Sequence, residues 1–376
     1  MSGETAGVAA VRVAGLHTAV GDQPFALLGA VGAGLGQLAP HPVLEGPAAD
    51  GRSGERVLAC CAVEEELSES GQRIHAVLDA ALAAAGDVLD RLPGAAFQIL
   101  LPPATTPRGA ELDEDEIREW LGRHMNGARE DDVAITREQG LALAIADAVR
   151  RVNAGTVPCA VIAVADSLVD ASTVAALASG GRLATTGMTD GICPGEAAAV
   201  LVVTPASAPA DADVPGALLR GLAVGPSPAA AMGSAARQAG IAPADLDLIV
   251  HPFFADRRAC LQWHATVSEL YPAMMDEARL QRAANGEEAV PTEAPTNEPP
   301  ALVPESVIGH TGVASAAMGL ALACARFGFH RPRVRHIGVI EWTEGGSAAF
   351  VLENTDPGES GGSAERGGSE SRDQMR

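Results

Sequence analysis

Short apolar runs alternate with Ala- and Gly-rich helical segments along almost the whole chain. The runs Val8 to Val13, Ala96 to Leu101 and PCAVIAVADS have the length and apolar character of buried strands, whereas 140–152 repeats its apolar residues at helical spacing. Strands that alternate with helices are typical of parallel-dominated sheets covered by helices. The sequence therefore predicts an α/β fold.

The second half of the chain repeats the order of elements found in the first. Strands are predicted at 217–224, 246–250, 334–340 and 348–352, and helices at 229–239, 256–270 and 312–327. The segment ASAPADADVPG, which is rich in Pro and Asp, separates the two halves and has the composition of a linker. We therefore predict a first half at 1–205, a linker at 206–216 and a second half at 217–353.

Several segments have compositions that oppose regular structure. Residues 277–303 are rich in Pro, Glu and Thr, which predicts a flexible surface insertion, and the Gly/Ser/Glu/Arg-rich tail at 354–376 is expected to be disordered. A Pro/Gly/Asp-rich stretch at 44–55 is expected to be a loop, and the first strand is expected to end at Gly15.

The charged residues limit the classes of function. All 26 basic residues are Arg, and the absence of Lys excludes a Schiff-base lysine and the lysine of a P-loop. The formal net charge is -22, so nucleic acid and anionic membranes would be repelled. We predict no nucleic-acid partner and no membrane partner.

The cysteines and the N-terminal residues bear on the cellular compartment. The six Cys show neither CxxC spacing nor a regular framework, which is typical of reduced thiols in a cytosolic protein. The first residues lack the basic start and apolar core of a signal peptide, and no run of 18 apolar residues occurs. We expect a soluble cytoplasmic protein.

Four segments resemble the β-ketoacyl synthases of the thiolase superfamily. VRVAGLHTAVGDQPFALLGAVGAGLGQL is similar to that family's opening strand and helix, and AVIAVADS followed by GICPGEAAAVLVV to the strand after the nucleophile and the next turn and strand. IGHTGVASAAMGL is similar to the second histidine motif, and EWTEGGSAAFVLE to the closing double-glycine loop. The resemblance implies a thiolase-like five-layer αβαβα sandwich of two pseudo-repeated halves, normally dimeric.

The family carries its acyl group on a cysteine at the start of a buried helix, where the helix dipole favours the thiolate. Counting back from Gly155 places that position at Glu138, or at Gln139 if the alignment slips by one residue, and neither is Cys. In some relatives a glutamine there marks a malonyl-decarboxylating or chain-length-controlling subunit. The same residues also form a capping-box pattern, with Thr136 as the N-cap and Gln139 three residues later.

The family also uses two histidines to assist decarboxylation of a malonyl thioester, and the resemblance places them at His251 and His310. His310 keeps its motif, but His251 is followed by Pro and two Phe instead of the family's glycine and threonine. Each histidine could alternatively serve a structural role by hydrogen bonding within the core.

Further substitutions change the charge expected around these histidines. Glu305 stands where the family usually has a lysine, and Glu344 precedes the two glycines, Gly345 and Gly346, where the family has a phenylalanine. The resemblance implies substrate-binding roles for Glu305, Gly345 and Gly346. If Glu138, Glu305 and Glu344 converge on one pocket, its electrostatics are reversed relative to the family; alternatively, they are solvated or paired with Arg.

A metal site is the alternative suggested by one helix. Asp256, Cys260 and His264 recur every four residues, with His251 shortly before them, and these residue types ligate zinc. The spacing matches no recognised metal motif, so we predict no metal ion and no cofactor.

These observations leave three hypotheses for function. The first is a condensation-deficient ketosynthase-like pseudoenzyme in fatty acid or polyketide-type biosynthesis, acting as a non-catalytic partner or a chain-length-factor-like subunit. The second is a malonyl-carrier-protein decarboxylase or acyltransferase that uses Gln139, His251 and His310. The third is a thiolase fold reused as a protein-interaction module.

The predicted partners are a second copy or a ketosynthase in a dimer, and an acyl carrier protein that would need a local Arg patch. The candidate arginines are Arg150, Arg151, Arg257, Arg258, Arg331 and Arg333.

Overall fold

The computed structural model describes residues 8–47, 54–63, 69–124, 133–137, 139–209, 213–272, 285, 298–329, 334–343 and 346–354. The strands are β1 Ala9–Thr18, β2 Ala39–Gly46, β3 Glu55–Ala59, β4 Ala96–Leu100, β5 Val133–Thr136, β6 Ala160–Ser167, β7 Glu196–Pro205, β8 Gly216–Gly225, β9 Leu248–Val250, β10 Ala301–Leu302, β11 His336–Thr343 and β12 Gly346–Glu353. The α-helices are α1 Pro24–Ala33, α2 Ser70–Leu89, α3 Pro107–Ala110, α4 Glu114–His124, α5 Leu141–Asn153, α6 Ala171–Ser179, α7 Pro228–Ala239, α8 Arg257–Leu270, α9 Glu305–Ile308 and α10 Ser315–Phe327.

Ten of the strands pair in the order β10-β9-β11-β12-β8-β1-β7-β6-β4-β5, and the two halves have the same topology. In each half an antiparallel trio, β1-β7-β6 or β8-β12-β11, is followed by two parallel neighbours, β4-β5 or β9-β10. A short antiparallel pairing of β1 with β8, from Ala9 to Arg12, joins the halves. The pseudo-repeat predicted by the resemblance is confirmed. The expectation of parallel-dominated sheets is wrong, because the central strands β1, β7, β8 and β12 are antiparallel to their neighbours.

The helices complete five layers. α5 and α10 lie in the middle and each contacts strands of both halves, whereas α2 covers the outer face of the first half and α7 that of the second. Every residue of α10 except Arg326 is buried, as expected of a helix that is apolar on all sides. A Cβ on Gly319 would lie 2.7 Å from Val339 Cγ1, so glycine allows α10 to approach β11 closely. The predicted αβαβα sandwich is confirmed.

Two local predictions were wrong. β1 continues past Gly15 to Thr18 through a bulge, and a Cβ on Gly15 would lie 2.1 Å from Ala81 O, so this glycine allows α2 to pack on the strand and does not end it. The predicted loop at 44–55 includes the end of β2 and the first residue of β3, which pair as a separate two-stranded sheet.

The remaining segment predictions lie mostly outside the described residues. Within the predicted insertion at 277–303, Ala301–Leu302 form the edge strand β10, parallel to β9. Of the predicted tail, only Asn354 is described, and its N–H donates to Arg335 O at 3.0 Å. Over the described part of the chain, no helix is long and apolar enough to span a bilayer.

Candidate functional site

The first feature of the candidate site is the N-terminus of the central helix α5. The helix begins at Leu141, and its N-cap Gly140 supplies no side-chain hydrogen bond. The N–H groups of Leu141 and Ala142 donate instead to Oε1 and Oε2 of Glu341, at 2.7 and 2.8 Å. The carboxylate therefore satisfies two of the donors that a helix N-terminus leaves without an intrahelical partner.

This arrangement shows that the predicted capping box is wrong. Thr136 ends β5, and its Oγ1 accepts a hydrogen bond from Gln98 Nε2 at 3.0 Å. The cap of α5 comes instead from Glu341 on β11, which lies 200 positions after Leu141 in the sequence. A Cβ on Gly140 would lie 2.6 Å from Glu341 Oε1, so glycine at the N-cap allows the carboxylate to approach.

Glu341 is a residue that sequence reasoning missed. Its side chain is buried, and it is the single acidic residue of a mainly apolar strand, HIGVIEWT, which was the available signal. Burial raises the pKa of the Glu341 carboxyl group, although the two backbone N–H bonds act in the opposite direction. A carboxylate thus occupies the positive end of the central helix dipole.

His310 lies in a tightly held loop between α9 and α10. Its backbone N–H donates to Cys193 O at 2.7 Å, and its carbonyl accepts from the Gly195 N–H at 3.0 Å. Gly309 before it has φ 70°, and a Cβ there would lie 2.8 Å from Cys193 O. Glycine is therefore required at 309 both by backbone conformation and by space.

The His310 ring pairs with Glu305, the residue found where the resemblance implies a lysine. Nδ1 of His310 lies 2.7 Å from Glu305 Oε1, which also accepts a hydrogen bond from Ser315 Oγ at 2.8 Å. Burial acts to lower the pKa of His310, but the Glu305 carboxylate outweighs it, and the pKa is raised. The Glu305 side chain is nearly buried, whereas 25% of the His310 side chain is exposed.

A second ion pair, which sequence reasoning missed, supports the loop after His310. Arg108 donates from Nε and one terminal nitrogen to the two oxygens of Asp166, at 2.6 and 3.0 Å. Asp166 Oδ2 also accepts the Val313 N–H at 2.9 Å. Gly312 has φ 54°, and a Cβ there would lie 1.9 Å from that same oxygen. The end of β6 is thereby tied to the turn that leads into α10.

His251 lies in an aromatic cluster at the end of β9. Its ring stacks on Trp263 with centroids 3.9 Å apart, and Phe253 packs against both Trp263 and Trp342. Nδ1 of His251 accepts the Phe253 N–H at 3.2 Å. Burial lowers the pKa of His251 to about 3, so the ring is neutral at ordinary pH.

This burial leads to a pH prediction. Between pH 6.5 and about 3, the unfolded chain protonates His251 and the folded protein does not, so stability falls as the pH falls through this window. Replacing His251 with Leu should reduce the slope of unfolding free energy against pH by up to about 1.4 kcal/mol per unit. Urea unfolding across this pH range measures the slope, and His264→Gln, at an exposed histidine, is the control. If His251→Leu has the same slope as wild type, His251 must bind its proton equally in the folded and unfolded protein, which would contradict the prediction.

The predicted site residues that the structure describes have different immediate neighbours. His310 and Glu305 are in direct contact, whereas His251 makes its contacts with Phe253 and Trp263. Gln139 is exposed, and Gly346 is the first residue of β12, paired with Thr343. Glu138, Glu344 and Gly345 lie outside the described residues, so the convergence of three carboxylates stays a prediction.

The residues of the metal-site alternative have other roles. Asp256 is the N-cap of α8, and its Oδ2 accepts a hydrogen bond from Arg182 at 2.8 Å. Cys260 and His264 are exposed on α8. Among the residues that the structure describes, no group of three or more His, Cys, Asp or Glu is arranged to hold a metal ion.

Solved structures with a similar fold include ketosynthases and a ketosynthase/chain length factor. The ishigamide ketosynthase/chain length factor has a TM-score of 0.60 at 16% identity, over 93% of this chain and 100% of that one. The ketosynthase from module 6 of the bacillaene synthase of Bacillus subtilis 168 has a TM-score of 0.64 at 12% identity, over 93% and 72%. A type II PKS acyl-carrier protein in complex with its ketosynthase, AntDE:AntF, gives 0.59 at 12%, over 92% and 100%.

These likenesses confirm the thiolase-like ketosynthase fold. No protein-family model matches the sequence, and no curated protein matches it. The similarity therefore lies in the fold, at sequence identities of 12 to 16% for these three structures.

Proposed function

We propose that this chain is a condensation-deficient ketosynthase-like protein that acts by binding, as the chain-length-factor-like partner of an active ketosynthase. The observation that carries the proposal is the pairing of Glu341 with the N-terminus of α5. In ketosynthases the corresponding helix end favours a thiolate and later an oxyanion. Here the carboxyl oxygens of Glu341 accept the N–H groups of Leu141 and Ala142, so these donors are not available to a thiolate or an oxyanion at the same place.

The surroundings of His251 support the same proposal. A histidine that polarises a substrate carbonyl must present a ring nitrogen to the substrate. His251 is only 4% exposed, its Nδ1 is bonded to the Phe253 N–H, and its face is covered by Trp263. The aromatic cluster therefore stabilises the fold at this position and leaves little access for a thioester.

The first test is assembly with a ketosynthase. Co-expression with a ketosynthase encoded beside this chain should yield a complex with one copy of each subunit, measured by size exclusion with light scattering. The complex should form equally well with His310→Ala, because the proposed role needs no catalytic histidine. A homodimer that is indifferent to the ketosynthase would contradict the proposal. So would a complex lost in His310→Ala when that variant keeps wild-type stability.

A malonyl-carrier-protein decarboxylase is the second candidate, and the His310–Glu305 pair is the observation that favours it. The Glu305 carboxylate lies 2.7 Å from Nδ1 of His310 and so orients the ring. Because the His310 side chain is partly exposed, a substrate could reach the ring. Loss of carbon dioxide from malonyl-carrier protein, followed by mass spectrometry, tests it. Activity that disappears in His310→Ala and falls in Glu305→Gln would favour the enzyme. No turnover at high protein concentration would eliminate it.

A further inference from the structure

The helix α8 carries two arginines at the end where a helix disfavours cations. Arg257 and Arg258 form the start of the helix, directly after the N-cap Asp256, beside the positive end of the dipole. Both side chains are exposed, and within the described part of the chain neither forms an ion pair. The protein has 48 acidic residues, yet none of the described ones neutralises this pair. The two arginines therefore do not serve to stabilise the helix.

An exposed leucine lies next to the two arginines. Leu261 is 62% exposed and lies four positions after Arg257 and three after Arg258, so all three share one side of the helix. His264, which is also exposed, follows one turn later. We call this surface, formed by Arg257, Arg258, Leu261 and His264, the α8 face. It combines positive charge with an apolar centre.

The α8 face is presented by a firmly held helix. Asp256 caps the helix and binds Arg182 at 2.8 Å, while Ala259 and Val267 are buried against the core. Trp263, on the inner side, stacks on His251. The surface is therefore preformed, which lowers the entropic cost of binding a partner.

We propose that the α8 face is the docking surface for a small acidic helical protein of the acyl-carrier type. Carboxylates of that partner would pair with Arg257 and Arg258, and an apolar side chain would cover Leu261. Most of a chain with a net charge of -22 repels an acidic protein, so this local positive surface would direct the encounter. Glu269 is exposed near the other end of α8 and repels an acidic partner, so the partner is expected to bind toward the N-terminal end of the helix.

The other candidate arginines fit this role less well. Arg150 is already paired with Asp147 on its own helix, and Arg331 and Arg333 lie outside the described residues. The adjacent pair Arg150 and Arg151, at the end of α5, therefore provides a matched control with the same residue types and the same change in charge. The inference rests on the proposed function, which supplies the class of partner.

The test measures binding of a purified apo acyl carrier protein, labelled for fluorescence anisotropy, to the full chain at low and high salt. The double variant Arg257→Glu/Arg258→Glu should bind about tenfold or more weakly and lose most of its salt dependence. Leu261→Ser should weaken binding without changing the salt dependence. The control Arg150→Glu/Arg151→Glu should bind like wild type.

Three outcomes would overturn the inference: no binding by wild type, equal losses in both double variants, or polyglutamate binding as tightly as the carrier protein. The docking inference and the proposed function can fail independently of each other. A ketosynthase complex that forms while the α8 face fails to bind carrier protein removes only the docking inference. Binding at the α8 face without a ketosynthase complex removes only the proposed function.

Discussion

Replacing Arg73 with Met should lower the free energy of unfolding by about 3–5 kcal/mol, the usual cost of removing one partner of a buried ion pair. Arg73 is 1% exposed, and its guanidinium donates to both oxygens of Glu196, at 2.8 and 2.7 Å. The same carboxylate accepts the N–H groups of Ala62 and Val63 and the hydroxyl of Ser167. Without Arg73, a fully buried negative charge would lose its cation.

Urea unfolding followed by circular dichroism measures this effect. Arg118→Met is the matched control, because Arg118 forms a partly exposed (i, i+4) pair with Glu114 and its loss should cost about 0.5 kcal/mol or less. If Arg73→Met were as stable as that control, the buried Arg73–Glu196 pair would not stabilise the fold.

Replacing Glu341 with Ala should destabilise the protein by about 2–6 kcal/mol, because two buried N–H donors lose their acceptor and each costs about 1–3 kcal/mol. The donors belong to Leu141 and Ala142, at the start of the helix that lies between the two halves. The loss should also be local: amide hydrogen exchange should accelerate at these two residues before it does so elsewhere in α5.

The variant Glu341→Gln separates hydrogen bonding from charge. Its amide keeps one acceptor oxygen and removes the negative charge from the helix terminus, so its loss of stability should be smaller than that of Glu341→Ala. If both variants matched wild type in stability and in exchange at Leu141, the carboxylate would not be the cap of α5. The proposed function would then lose its main support.

The alternation of apolar strands and helices was sufficient to predict the fold class and most of the elements. Runs such as PCAVIAVADS and SAAMGLALACARF are apolar over most of their length, which is typical of buried layers. The glycines of IGHTG were informative in another way, because Gly309 and Gly312 have positive φ and this backbone requirement appears directly as a residue type. The motif resemblance then indicated the order of the layers, which the structure confirms.

The interpretation of the helix start at α5 shows where local reasoning fails. Thr136 and Gln139 had the spacing of a capping box, but the chain at Thr136 forms an edge strand, and the helix begins five residues later. Pairing of β5 with β4 competes with helix formation for the same residues, and the sheet prevails. The true acceptor, Glu341, could not be assigned from a local pattern.

Local sequence patterns are enough to predict the α/β alternation, the duplicated order of elements and the place of His310 before a buried helix, because each depends on residues close together in the chain. Which charged side chains pair with one another depends instead on the three-dimensional fold. Glu341 reaches α5 across 200 positions and Arg73 reaches Glu196 across 123, and such pairs depend on how the layers are placed against one another. Electrostatic interactions follow distance in space, and a linear pattern of charged residues does not contain that distance.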